Sequence, residues 1–134
     1  LREGNLLVYT MDKDGNREEH YAEDEDSLDL PMIVLVNGNS ASASEIFTAA
    51  LQDYDKATIM GTTTFGKGIV QVILPLDDGS AVKVTQSQYY TPNGVCIHGE
   101  GVTPDIEVEY DASSENDNQL DAALEQMKTM LGES

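Results

Sequence analysis

An α/β fold with a mixed β-sheet, β-hairpins and two main helices is predicted by three observations. The apolar, β-branched run Met32–Val36 is followed by apolar residues at three- and four-residue steps, then by a second apolar run at Lys56–Met60. That order reads strand, helix, strand. The pairs Asp14-Gly15 and Asp78-Gly79 each sit between extended segments and signal hairpins. Near the C-terminus a further amphipathic stretch supplies the second helix. With 134 residues, 40% of them hydrophobic, the chain can close one core in one domain.

Taken in order, Leu6–Thr10 and Arg17–Ala22 flank the Asp14-Gly15 turn as an exposed hairpin. Glu23–Leu30 carries too much charge to bury and reads as a loop. Met32–Val36 is apolar at every position, as expected of a strand covered on both faces. Ala43, Ile46, Phe47, Ala50, Leu51 and Tyr54 then form one helical stripe, ending near Tyr54 or Asp55. Gly61–Gly68 is a glycine-punctuated loop. The second hairpin joins "IVQVILPL" to "SAVKVTQSQYY". A turn at Thr91–Gly94, a short strand at "VCI", the connection "HGEG" and an extended "PDIEVEY" follow. The last helix, from about Asp117 to Leu131, places Leu120, Ala123, Leu124, Met127 and Leu131 on one face.

Charge narrows the function classes. Twenty-five acids against seven bases give a net charge of -18, which repels nucleic-acid backbones and anionic membrane surfaces. No apolar run is long enough to span a membrane. The acids concentrate at the two ends, leaving residues 31–104 nearly neutral with six acids and three bases. The ends read as solvated faces, with a cation site as the lesser alternative. Cys96 is the single cysteine, so neither an internal disulfide nor a cysteine-based zinc cluster is available. It reads as a small core residue.

Three serines alternate in "NGNSASASEIF", Asn37–Phe47, between the core strand and the helix start. Two roles compete. Ser42 and Glu45 have the spacing of a capping box, and Ser42 is equally a candidate nucleophile. A serine hydroxyl attacks well only with an adjacent base. The candidate bases are His98, since triads follow geometry and not chain order, and Lys67, which lies between two glycines in the neutral middle segment. His20 sits in the charged hairpin. If Gly68–Leu74 is a strand, Gln71 shares a face with Lys67 and can orient it without adding charge. A lysine base requires burial to lower its pKa, and the glycines and apolar neighbours of Lys67 permit such burial.

The stretches "VLVNGNSASASEIFTAALQDYDKATIMGTTTFGKGIVQ", "LPLDDGSAVKVTQSQYYTPNG" and "IHGEGVTPDIEV" closely resemble the carboxyl-terminal processing peptidases, or tail-specific proteases. That resemblance implies a crotonase-like peptidase core and a Ser/Lys dyad. It maps the nucleophile onto Ser42, the general base onto Lys67, the residue that positions the base onto Gln71, and one oxyanion donor onto the Ala43 N–H. It implies no metal and no organic cofactor, protein or peptide substrates with accessible C-termini, and a site of action outside the cytoplasm, in a bacterial periplasm or cell envelope. Residues 1–30 are then a hairpin and acidic loop, 31–110 the catalytic core and 111–134 a C-terminal helix, all within the later part of a catalytic domain. The family's PDZ-type domain and its glycine-rich turn with the second oxyanion donor are absent from these residues. The alternative is therefore an inactive folded fragment or interaction module. Ser40 and Ser44 read as structural, and Asp105 as a turn or strand-entry residue.

Overall fold

The computed structural model describes residues 1–132; the last two residues of the C-terminal segment 111–134 lie outside that range. The chain runs β1 (Leu6–Asp12), β2 (Arg17–Tyr21), β3 (Ile33–Val36), α1 (Ala43–Asp53), β4 (Thr58–Gly61), β5 (Ile69–Pro75), β6 (Ala81–Tyr90), β7 (Ile106–Glu107) and α2 (Asn118–Leu131). Parallel and antiparallel pairings both occur, in separate sheets. One is antiparallel with order β2-β1-β6-β5; the other is β3-β4-β7, parallel throughout.

Both hairpins form where the Asp-Gly pairs predict them, with Gly15 and Gly79 at φ 84° and 86°. The first is fastened to the second through β1–β6 pairing and aromatic stacking: the Tyr9 and Tyr90 rings lie 5.1 Å apart and nearly parallel, with the Arg17 guanidinium over Tyr9. The "VCI" segment does not form a strand. It makes a single antiparallel bridge, Tyr90 to Cys96, across the Thr91–Gly94 turn, flanked by hydrogen bonds from Thr91 N–H to the Val95 carbonyl and from Ile97 N–H to the Tyr89 carbonyl.

The strand, helix, strand unit is β3-α1-β4, with Ile33 opposite Thr58 and Val36 opposite Gly61. Its packing surface differs from the predicted stripe. The buried side of α1 is Glu45, Thr48, Ala49, Ala50 and Leu51, whereas Ala43 and Phe47 are exposed. Polar anchoring of Glu45 turns that flank of the helix inward. Ala49 joins Ile97 and Val102 in the core, with Ile46 and Tyr89 against them. Asp105 ties the sheet to the helix: its carboxylate accepts the Ile59 N–H at 2.7 Å and the Gln52 side-chain amide at 2.8 Å, the strand-entry role expected for it.

α2 starts at Asp117, whose carboxylate accepts the Gln119 and Leu120 N–H groups, and ends at Gly132 in the left-handed conformation. It lies against β3 and β4 through Ala123, while Leu120, Leu124 and Leu131 of the predicted face are exposed. Small Ala123 permits close approach, and the leucines flank the contact instead of filling it.

Gly61 closes the parallel pair. Its φ is +120°, and a Cβ there would collide with the Val36 carbonyl oxygen. Gly61→Ala is expected to lower stability by about 3 kcal/mol or more from strain and steric overlap together. Thermal or denaturant unfolding measures this directly; a loss below about 1 kcal/mol contradicts the close approach described.

Candidate active site

At the C-terminal end of β3 the chain turns through Asn37–Ala41 into α1, the end of a parallel sheet where α/β folds place their ligands. Ser40 N–H donates to the Asn37 carbonyl at 2.8 Å, and Ser40 Oγ accepts the Asn37 N–H at 3.1 Å. Ser40 is thus structural, as expected. Ser42 is the N-cap, with φ 59° and ψ -115°. A non-glycine residue in that region is strained by roughly 1–3 kcal/mol.

Ser42 and Glu45 are arranged as a capping box, but only the carboxylate half is a hydrogen bond, Ser42 N–H to Glu45 Oε2 at 2.9 Å. The hydroxyl half is an approach without a hydrogen bond to the helix N–H groups. Instead the Glu45 N–H donates to the Ser42 carbonyl at 2.9 Å. The hydroxyl therefore stands at the helix start without a full capping hydrogen bond. The Ala43 N–H is the first of the helix and has no hydrogen-bond partner among the described residues. It carries the positive end of the helix dipole next to Ser42.

Glu45 assembles the rest. Its side chain is wholly buried, at 0% exposure. Oε1 accepts the Thr64 hydroxyl and the Gly66 N–H, each at 2.6 Å, and Oε2 accepts the Ser42 and Lys67 N–H groups, each at 2.9 Å. The backbone nitrogens of Ser42 and Lys67 share one oxygen and so lie no further apart than twice 2.9 Å. A second tie joins the two loops, from Phe65 N–H to the Ser40 carbonyl at 2.9 Å. Burial pushes the Glu45 carboxyl pKa up, but the hydrogen bonds from Thr64, Gly66, Lys67 and Ser42 outweigh it and hold the group below its ordinary range.

The Lys67 loop rests in turn on residues 97–102. Gly99 N–H donates to the Gly66 carbonyl at 3.0 Å, and Thr64 Oγ1 accepts the Val102 N–H at 2.7 Å. A Cβ on Gly68 would meet the His98 nitrogen at 2.6 Å, and one on Gly101 would meet the Thr64 carbonyl oxygen at 2.6 Å. The loops therefore meet backbone to backbone.

The structure brings Ser42, Ala43 and the Lys67 backbone together, while the Lys67 and Gln71 side chains make no hydrogen bond to them among the described residues. Lys67 is exposed, not buried. Its glycine neighbours contribute no side chains, and Phe65 beside them is 65% exposed. Gln71, on β5, is exposed as well, and its amide N–H₂ donates to Thr85 Oγ1 at 3.3 Å with no bond to Lys67. Neither histidine is built in as a base: His98 and His20 are exposed and make no hydrogen bond to Ser42 among the described residues. No group of three or more His, Cys, Asp or Glu could hold a metal among the described residues. Sequence reasoning missed Thr64 and read Glu45 only as the local cap partner of Ser42. The available signal was that Glu45 is the single acid between Pro31 and Gln52.

Four donors converge on Glu45, so a neutral amide, with one acceptor oxygen and a donor group, cannot replace it. Glu45→Gln is expected to cost about 2–4 kcal/mol in unfolding experiments, and an unchanged melting temperature contradicts the clamp. Because the folded-state pKa is depressed, the carboxylate's contribution is fully present above the ordinary glutamate value of 4.5 and is lost as pH falls below it. Wild-type stability should therefore fall through that window by more than Glu45→Gln stability does. Ser42→Gly relieves the backbone strain and is expected to be more stable than Ser42→Ala by about 1 kcal/mol. Equal melting temperatures for the two variants contradict the strained N-cap.

Comparison with known proteins places the chain in a family. A "Carboxy-terminal-processing protease" of Bartonella bacilliformis is 60% identical over 79 residues, 59% of this chain and 18% of that protein. The "Carboxyl-terminal-processing protease" of Synechocystis sp. is 42% identical over 125 residues, 89% of this chain and 29% of that protein. Among solved structures, a photosystem II D1 C-terminal processing protease superimposes with a TM-score of 0.75 at 42% identity, covering 81% of this chain and 28% of the other. The chain thus spans less than a third of these relatives. The model of Peptidase family S41 matches residues 1–108. With most of its length inside that match, and with the serine, helix start and lysine loop held on one carboxylate, the chain belongs to Peptidase family S41.

Proposed function

We propose that the protein containing this chain is a serine endopeptidase that processes the carboxyl-terminal regions of other proteins. Ser42 is the nucleophile, Lys67 the general base, Gln71 the residue that orients it, and the Ala43 N–H an oxyanion donor. The observation that carries this reading is the shared Glu45 oxygen, which holds the nucleophile's and the base's backbones on one buried carboxylate. Membership of Peptidase family S41 and the names of its relatives support it.

In this reaction Ser42 Oγ bonds to the scissile carbonyl carbon as its proton passes to Lys67 Nζ. The carbonyl oxygen gains negative charge beside the Ala43 N–H, where the helix start stabilises it. Collapse expels the amine, which takes the proton from Lys67, and leaves an ester on Ser42. Water then attacks the ester as Lys67 takes its proton; the Ser42 Oγ–carbon bond breaks, the proton returns from Lys67 to Ser42 Oγ, and the carboxylic acid product leaves. With its N–H₂ on Thr85, Gln71 has its carbonyl oxygen available to accept from Lys67. Substrates are proteins with accessible C-termini, and the place of action is outside the cytoplasm.

One observation favours a second reading for the 134-residue chain by itself. A lysine becomes a base only when its surroundings favour the neutral form, and Lys67 here is exposed. The isolated chain is then a folded, inactive module, and activity belongs to the longer protein.

In the full-length protein, Ser42→Ala and Lys67→Ala are each expected to lower the cleavage rate of an unstructured protein by about a thousandfold or more. Retention of cleavage in Ser42→Ala, measured by gel or mass spectrometry, overturns the assignment.

A further inference from the structure

The two edges of the antiparallel sheet are built differently. β2, at one edge, reads Arg-Glu-Glu-His-Tyr and so guards its open backbone with charge. β5, at the other edge, has no charged residue from Ile69 through Leu76. An uncharged edge of seven residues is the kind that proteins keep covered.

The ladder shows which groups the edge offers. Leu76 N–H donates to the Ser80 carbonyl and Tyr89 N–H to the Gly68 carbonyl, each at 2.8 Å. Antiparallel pairs alternate between bonded and non-bonded. Counting inward from both ends, Val72 opposite Val84 and Leu74 opposite Val82 are bonded pairs, while Ile69, Gln71 and Ile73 stand in non-bonded ones. The N–H and C=O groups of these three residues therefore point away from β6, toward the open edge. Cross-strand partners share a face, so Val72, Leu74, Val82 and Val84 form one apolar face. Leu74, Val82 and Val84 on it are 50%, 45% and 40% exposed.

We propose that the open edge of β5 is a strand-addition site, which receives the substrate as an extended polypeptide carrying apolar side chains at alternate positions. The inference rests on the endopeptidase reading above and adds to it how the substrate is held. Continuity decides the occupant: Gln71 belongs to this strand, and Lys67 precedes it by two residues. From Ile73 to Lys67 the strand covers about 20 Å at the usual rise per residue, so a peptide laid along the edge is led to the Ser42 centre. Backbone pairing tolerates many sequences, while the apolar face selects every second side chain.

The test uses the full-length protein and two substrates: an unfolded polypeptide, and a nitrophenyl ester of a single acetylated amino acid, too short to reach β5. Ile73→Pro removes an outward N–H without breaking a β5–β6 bond, and Ile73→Ala keeps the N–H. Ile73→Pro is expected to raise KM for the polypeptide about tenfold while ester hydrolysis stays within about twofold, and Ile73→Ala to change neither beyond that. If Ile73→Pro moves both substrates together, or neither, the strand-addition site is wrong. If Ser42→Ala still hydrolyses both, the endopeptidase reading itself has failed. Amide hydrogen exchange in full-length Ser42→Ala gives a measurement independent of the proline variant. The Ile69, Gln71 and Ile73 amides should exchange fast alone and slowly with an added uncleaved peptide. Slow exchange without peptide means that another part of the polypeptide or a second copy covers the edge. That result, like fast exchange in both conditions, overturns the proposal.

Discussion

The geometry of the site depends on one buried carboxylate. Glu45 receives four hydrogen bonds from two segments that are separate in sequence: the helix N-cap, and the loop that carries Thr64, Gly66 and Lys67. A charge buried without partners is prohibitive, so folding cannot finish with either of these segments out of place. Order in the loops is enforced by the penalty for leaving Glu45 unpaired, more than by any apolar contact they make. The same group favours the α1 start as a first-turn acid, so helix formation and loop closure reinforce each other.

The parallel unit supplies the direction. β3 and β4 run side by side into the same end of the sheet, and the connections leaving them, Asn37–Ala41 and Thr62–Gly68, are the two that Glu45 joins. Neither loop needs apolar packing of its own, because each begins on a strand whose position the sheet has set. Ala49, Ile97 and Val102 behind α1 complete the support.

Much of this was legible in the sequence, for identifiable reasons. Asp14-Gly15 and Asp78-Gly79 marked hairpins because a left-handed glycine closes such turns. Met32–Val36 marked the parallel strand by its unbroken apolar, β-branched run, although the double coverage expected of it is not met: Leu35 is 41% exposed and only Val36 is buried. The faces of the helices were less legible. Phe47 keeps helical spacing with Ala43 and Ala50, yet the inward pull on Glu45 turns it outward, and α2 docks through Ala123 with its leucines beside the contact. At the site, Ser42 and the lysine loop were recognisable as motifs. The clamp was hidden because Glu45 three residues after a serine reads as a local cap, and its partners at Thr64 and Gly66 are local to nothing. Small neighbours permit burial of Lys67, but they also cannot cover a side chain, and it stands exposed.

The contact between Gly66–Gly68 and Ile97–Gly101 is made mostly of main chain, with the Ile97 Cβ beside Gly68. Its dimensions are consequently set mainly by peptide geometry, the one component of a protein that does not vary with residue type. The His98 side chain, exposed beside this seam, can be exchanged for others without displacing Lys67. Variation at that position between relatives would report on what the loop meets in solvent and would leave the spacing of the reactive groups as it is.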